Sequence, residues 1–209
     1  MLPAFLALAS LAGAALYLES TDPQKGAKGA RGDAADAGTM GCKGPKDPTL
    51  LRVLAAKWTA KFPGVPVEWV MAISKIESGQ RPSCSTLTGR DLLRGGAWGF
   101  MQQTYATALG NARALKLSTD PEIRSTLALN WHGLPTDLQN PDLNVMLAVY
   151  HLSVLSKRYG GDFNIVAAAY NQGTGNVDKA LAGLGVPAGL TAHGQLYVQK
   201  ANAAKASVA

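Results

Sequence analysis

The chain has 209 residues, 47% of them hydrophobic and 16% charged, enough for one ordinary domain with an appendage. That size and composition exclude a disulfide-dense miniprotein, a multidomain machine and a fully disordered chain. The 20 basic and 14 acidic residues give a net charge of +6, and because residues 1–47 hold five of each, the whole excess falls on residues 48–209.

No charged side chain occurs from Met1 to Leu18. As a helix this run would span ~27 Å at ~1.5 Å per residue, against a hydrocarbon core of ~30 Å. Residues 1–20 therefore read as an apolar helix, first of all a membrane anchor, with a cleaved signal or a buried helix as the alternatives. Nothing basic precedes the run, as a signal peptide requires, and Lys25, Lys28 and Arg31 follow it, which would hold that flank on the cytoplasmic side. Residues 21–47 are mainly Gly, Ala, Asp, Lys and Pro and cannot offset their ordering entropy by burial, so they read as a flexible linker. Cys42 lies in this linker and Cys84 beyond it, either as a disulfide in an oxidising compartment or as two free thiols.

Residues 48–209 carry helical periodicity, and the expected class is mainly α. Pro48 opens a stripe of Leu51, Leu54, Ala55, Trp58 and Phe62 that Pro63-Gly64 ends, and Val67, Val70, Ile73, Ser74 and Glu77 continue on a second helix. Asn140-Pro141-Asp142 starts another, through Leu143, Met146, Leu147, Tyr150, Val154 and Leu155 to Gly160-Gly161. Asp162 caps a helix running to Asn171, and shorter helices are expected around 177–184 and 195–204. No strand pair with a hairpin turn is evident.

A basic domain suits an anionic partner: nucleic acid, a membrane face or an anionic polymer. No five-residue Lys/Arg run or zinc-finger spacing supports nucleic acid, and His132, His151 and His193 form no HExxH pattern with the two cysteines giving no CxxC, so neither a metal site nor nucleic-acid binding is expected. Glu77 is the residue that needs explaining. It shares a helical stripe with Val70 and Ile73, a setting that disfavours the ionised form and suits a general acid near neutral pH. The alternative is a helix-terminal carboxylate paired with Lys75 or Arg81.

Three further stretches bear on that choice. Ile76-Glu77-Ser78-Gly79, Gly96-Ala97-Trp98-Gly99-Phe100-Met101-Gln102 and Ala169-Tyr170-Asn171-Gln172-Gly173 follow one another as do the Glu-Ser, Gly-Ala-x-Gly-Leu-Met-Gln and Ala-Tyr-Asn-x-Gly motifs of the soluble lytic transglycosylase family. Asn140-Pro141 through Asn144, with Tyr150, Leu152 and Leu155, resembles the helix that precedes the last motif. The resemblance covers most of residues 67–180. It implies a lysozyme-like helical fold of the goose type and cleavage of the β-1,4 bond between N-acetylmuramic acid and N-acetylglucosamine in peptidoglycan, with no metal or cofactor. By matching positions it implies that Glu77 is the catalytic acid and base, that Gln102 and Asn171 hold sugar or backbone groups, that Tyr170 orients Glu77 or the acetamido group, and that Met101 lines the glycan groove. The family's serine after the glutamate falls on Ser85 or Ser83. The implied partner is the peptidoglycan glycan strand, at the cell envelope or in a phage virion, with the membrane met through residues 1–18 and phage-particle or secretion-system proteins as further partners.

The chain also departs from the family's pattern. Thr86–Arg94 looks inserted, residues 110–139 with Trp131 and His132 have no counterpart, and His193 stands where an acid is common. Asp91, the nearest downstream acid, is assigned no catalytic role. A hydrolytic goose-type muramidase, a structural protein with an inactive domain and a membrane-penetration protein of a virus particle are the competing readings.

Overall fold

The structure, a computed structural model, describes residue 42, residues 44–85 and residues 96–208. The apolar helix expected over residues 1–20, most of the linker, Asp91 and the inserted stretch 86–94 lie outside the described residues. Among the described residues no helix is long and apolar enough to cross a membrane.

Eight α-helices are described: α1 Pro48–Thr59, α2 Val67–Glu77, α3 Tyr105–Leu115, α4 Pro121–Asn130, α5 Pro141–Arg158, α6 Phe163–Gln172, α7 Thr174–Ala182 and α8 Ala192–Ala206. Three begin with the same device, an Asx residue followed by proline. The Asp47 carboxylate accepts from Leu50 N, the Asp120 carboxylate from Glu122 N and Ile123 N, and the Asn140 side chain from Leu143 N. Each occupies amide groups that have no partner inside the helix, while proline loses nothing at the first position. Helix α6 starts on Asp162 in the same way, without the proline.

Helix α5 is the axis of the domain. Leu143, Val145, Met146, Leu147, Ala148, Val149 and Leu152 are all fully buried, and the helix packs against α1, α3, α4 and α6. Helix α2 packs between α1 and α8, and α6 against α7 and α8. Trp58 of α1, fully buried, donates its Nε1–H to Asp142 Oδ1 at 2.8 Å, and Lys57 Nζ reaches the same carboxylate at 3.0 Å. This pairing fastens α1 to the start of α5.

Helices α3 and α4 fill the stretch that had no assignment in the sequence, joined to α5 by a short 3-10 helix, Pro135–Gln139. A strand pair is also present where none was expected. β1 Ala97–Trp98 runs antiparallel to β2 Gln103–Thr104, too short for any alternation to show. Cys42 and Cys84 form a disulfide across a sequence separation of 42, which in chain-entropy terms restricts the unfolded ensemble by about 4 kcal/mol. The end of the segment read as linker is therefore attached: Asp47 N–H also donates to Gln80 O at 2.9 Å and Arg81 Nε to Gly44 O at 3.2 Å.

Since Leu147 is enclosed on every side, Leu147→Ala is expected to lower the unfolding free energy by about 2–5 kcal/mol, read as a fall in the urea midpoint at unchanged m-value.

Candidate active site

Glu77 is the last residue of α2 and is partly buried. Its carboxylate Oε1 accepts the hydroxyl proton of Tyr197, at 2.7 Å, from α8. Tyr197 is only 8% exposed. Burial first, and then the negative charge of Glu77, push the phenols of Tyr197 and Tyr170 well above their ordinary range. Both therefore remain neutral donors across the working pH of an enzyme.

Beside Glu77 stands the connection between β1 and β2. Gly99 and Gln102 bracket it in the left-handed region, at φ 71° and 45°. A Cβ at Gly99 would meet the Asn144 side chain at 2.5 Å, so both backbone angle and space call for glycine. The turn is buried, and its backbone groups are satisfied by side chains of α2 with its C-cap, of α5 and of α6, and by a backbone carbonyl of the preceding loop. Ser74 of α2 and Ser78, the residue capping its C-terminus, donate to Phe100 O at 2.9 and 2.7 Å. Asn144, fully buried on α5, donates to Trp98 O at 2.8 Å and accepts from Met101 N at 3.0 Å. Tyr170 of α6 donates to Met101 O at 2.7 Å. The preceding loop contributes Cys84 O, which accepts from Gly99 N at 2.7 Å and from Gln102 Nε2 at 3.1 Å.

These contacts change the parts expected of several residues. The Met101 side chain is fully buried in the core and does not line an open groove; the main-chain carbonyl is what Tyr170 meets. Gln102, 7% exposed, turns its amide inward onto Gly99 O and Cys84 O. Tyr170 lies within the field of Glu77 but gives its hydroxyl to Met101 O, and Tyr197 is the residue that holds Glu77. Ser85 is partly buried and bridges Trp98 as an added antiparallel position beside β1. Asn171 is partly buried in the last turn of α6, and its Oδ1 is enclosed with no hydrogen-bond partner, as is Gln102 Oε1. His193 is exposed in the first turn of α8.

His151 joins the cluster from α5, its ring tilted against Tyr170 at a centroid distance of 5.7 Å. Burial lowers its pKa to about 4. From the sequence, Ser74 and His151 have no part in the site, and Ser78 has only its place in the Glu-Ser motif. The available signal was a pair of serines four apart, one on the buried face of α2 and one at its C-cap, beside the acid.

A carboxylate held by a phenol thus stands at the end of a buried helix, next to a turn pinned by serines and an asparagine, in a mainly helical domain. The Transglycosylase SLT domain family matches residues 54–185, more than half of the chain, and the chain belongs to that family. No curated protein matches it. Among solved structures, the 70 kDa soluble lytic transglycosylase of Escherichia coli is 23% identical with a TM-score of 0.58, the match covering 74% of this chain and 23% of that one. An inactive mutant of the lytic transglycosylase Slt of Pseudomonas aeruginosa is 21% identical with a TM-score of 0.56, covering 74% and 23%. A complex of a 70 kDa soluble lytic transglycosylase with bulgecin A is 22% identical with a TM-score of 0.55, covering 75% and 23%. The chain thus spans about a quarter of the length of each of these proteins, and the likeness is one of fold.

An NMR titration should find the His151 ring neutral down to a midpoint near pH 4. Because the unfolded chain takes up that proton first, near pH ~6.5, stability should decline as pH falls from that value towards 4. His151→Phe should flatten this part of the stability profile. A midpoint near the ordinary histidine value would show a solvated ring.

Proposed function

We propose that the domain is a lytic transglycosylase that cuts the β-1,4 bond between N-acetylmuramic acid and N-acetylglucosamine in peptidoglycan and leaves a 1,6-anhydro end. The observation that carries this reading is the Glu77–Tyr197 hydrogen bond beside the pinned turn, in a chain of the SLT family. Glu77, protonated, gives its proton to the glycosidic oxygen as the bond from that oxygen to C1 breaks. As a carboxylate it then takes the proton of the muramic C6 hydroxyl while that oxygen closes on C1. Proton and bond counts balance without water, and the substrate's own N-acetyl oxygen stabilises the positive charge developing at C1, the part a second carboxylate plays in other glycosidases.

Tyr197 fits both halves of this cycle, because a hydroxyl can donate to the carboxylate and can also accept from the protonated acid. Asn171 and Ser85 are the side chains proposed to meet the sugar. Met101 and Gln102 shape the turn on which that surface is built. In this reading residues 1–20 anchor the protein or carry it to the envelope, residues 21–47 link, and residues 48–209 act on the wall. The basic excess on residues 48–209 suits a polymer that bears carboxylates. A phage particle or a secretion apparatus is the setting proposed for so small a version of the domain.

Digestion of purified peptidoglycan followed by mass spectrometry of the products tests the chemistry. Anhydro-muramic ends are expected; only reducing, hydrated ends would establish the hydrolytic muramidase instead. Glu77→Gln should cut the rate by at least about 100-fold, as loss of a general acid and base does, and an unchanged rate would mark an inactive domain whose apparent activity comes from elsewhere. Tyr197→Phe should cost about 10–100-fold, the loss of one hydrogen bond to a charged group, expressed mainly in kcat.

A further inference from the structure

The loop from Ser78 to Ser85 carries more of the site than its own bonding supports. It leaves α2 directly after Glu77 through two successive residues in the left-handed region, Gly79 and Gln80. Its local hydrogen bonds are long: Gln80 N to Ser74 O at 3.3 Å, Arg81 N to Ser78 Oγ at 3.3 Å and Cys84 N to Arg81 O at 3.4 Å. Yet Cys84 O is the acceptor for both Gly99 N and Gln102 Nε2, the two donors at the ends of the turn. Ser85 continues this contact by bridging Trp98. Fully buried Cys84 is fixed from the other side by its disulfide to Cys42, which lies on the segment strapped across the loop by Gly44 and Asp47.

We infer that the Cys42–Cys84 disulfide is a redox gate on the Gly99–Gln102 turn, so that the reduced chain is folded but idle and the oxidised chain is competent. Closing the gate's bond takes a disulfide-bearing oxidant. One cysteine thiolate attacks a sulfur of the oxidant to give a mixed disulfide, and the second cysteine thiolate displaces the oxidant's remaining thiolate. Two electrons and two protons leave Cys42 and Cys84, and the oxidant departs as two thiols. Opening runs in reverse, with attack at Cys42, the partly exposed partner of the two. Such a device keeps a wall-cutting activity silent in a reducing compartment and releases it in an oxidising one.

This inference rests in part on the proposed reaction, so its test has an arm that does not. The full-length protein is compared oxidised, reduced with a phosphine and as Cys42→Ser, below the melting temperature of each form. Amide hydrogen exchange at Gly99 and Met101 is expected to quicken at least 10-fold more than that of the α5 amides on reduction and in Cys42→Ser, while the amides of α5 stay protected. Peptidoglycan release is expected to fall at least 10-fold in the same two samples, and oxidised glutathione should restore the reduced wild type but not Cys42→Ser. Unchanged exchange at the turn in protein shown to carry two free thiols overturns the gate. So does loss of protection throughout α5, which would make the disulfide a global brace. If the oxidised protein itself releases nothing, the transglycosylase reading fails, and the exchange data still decide the coupling of disulfide to turn.

Discussion

Phe100 directs its main-chain carbonyl into the interior, where the hydroxyls of Ser74 and Ser78 both donate to it. A tight turn inside a core has no helix or sheet ladder to satisfy its peptide groups, and each unpaired group would carry the full cost of desolvation. The surrounding helices and the loop after α2 supply the missing partners. Asn144 answers Trp98 O and Met101 N, Tyr170 answers Met101 O, and Cys84 O answers Gly99 N. Ser74, Asn144 and Tyr170, polar groups on otherwise apolar helix faces, are thus accounted for by the backbone of this turn.

That constraint also places the acid. Ser74, on α2, and Ser78, its C-cap, hold the end of the helix against the turn, and Glu77 lies between them, so its backbone is placed relative to the turn. Tyr197 then sets the carboxylate from α8. The two phenols near Glu77 carry no charge at working pH, because burial and the adjacent carboxylate both oppose their ionisation. The His151 ring is likewise neutral there. Among these three residues Tyr197 gives the acid its hydrogen bond, and none adds a second ionised group.

Helix starts were legible because their chemistry is local. Asp47-Pro48 and Asn140-Pro141 announce α1 and α5, and Asp120-Pro121 carries the same signal for α4, obscured by the weak apolar stripe that follows it. The strands were not legible, since two residues cannot show a period of two. Site residues divide along the same line. Glu77 stood out as an acid on an apolar face, whereas the inward turn of Gln102 depends on Cys84 O, 18 residues away, and Tyr197 meets Glu77 across 120. The first joins a loop to the turn and the second comes from the packing of α8 on α2, and neither leaves a periodic trace. Met101 illustrates the reverse error, a residue type common in grooves that here belongs to the core.

The order of the supports suggests why the segment before α1 matters to the domain. Asp47 caps α1 with its side chain and, through its amide, holds Gln80 O. Gly44 O takes Arg81 Nε, and Cys42 takes Cys84. Each successive step towards the N-terminus thus fixes a later position of the loop after Glu77, and the last fixes the residue whose carbonyl carries the turn. A segment composed for flexibility is converted, over its final residues, into a strap on the site. The attachment is made by one covalent bond and a few backbone groups and needs no apolar side chain, so the composition of residues 42–47 gives little hint of it.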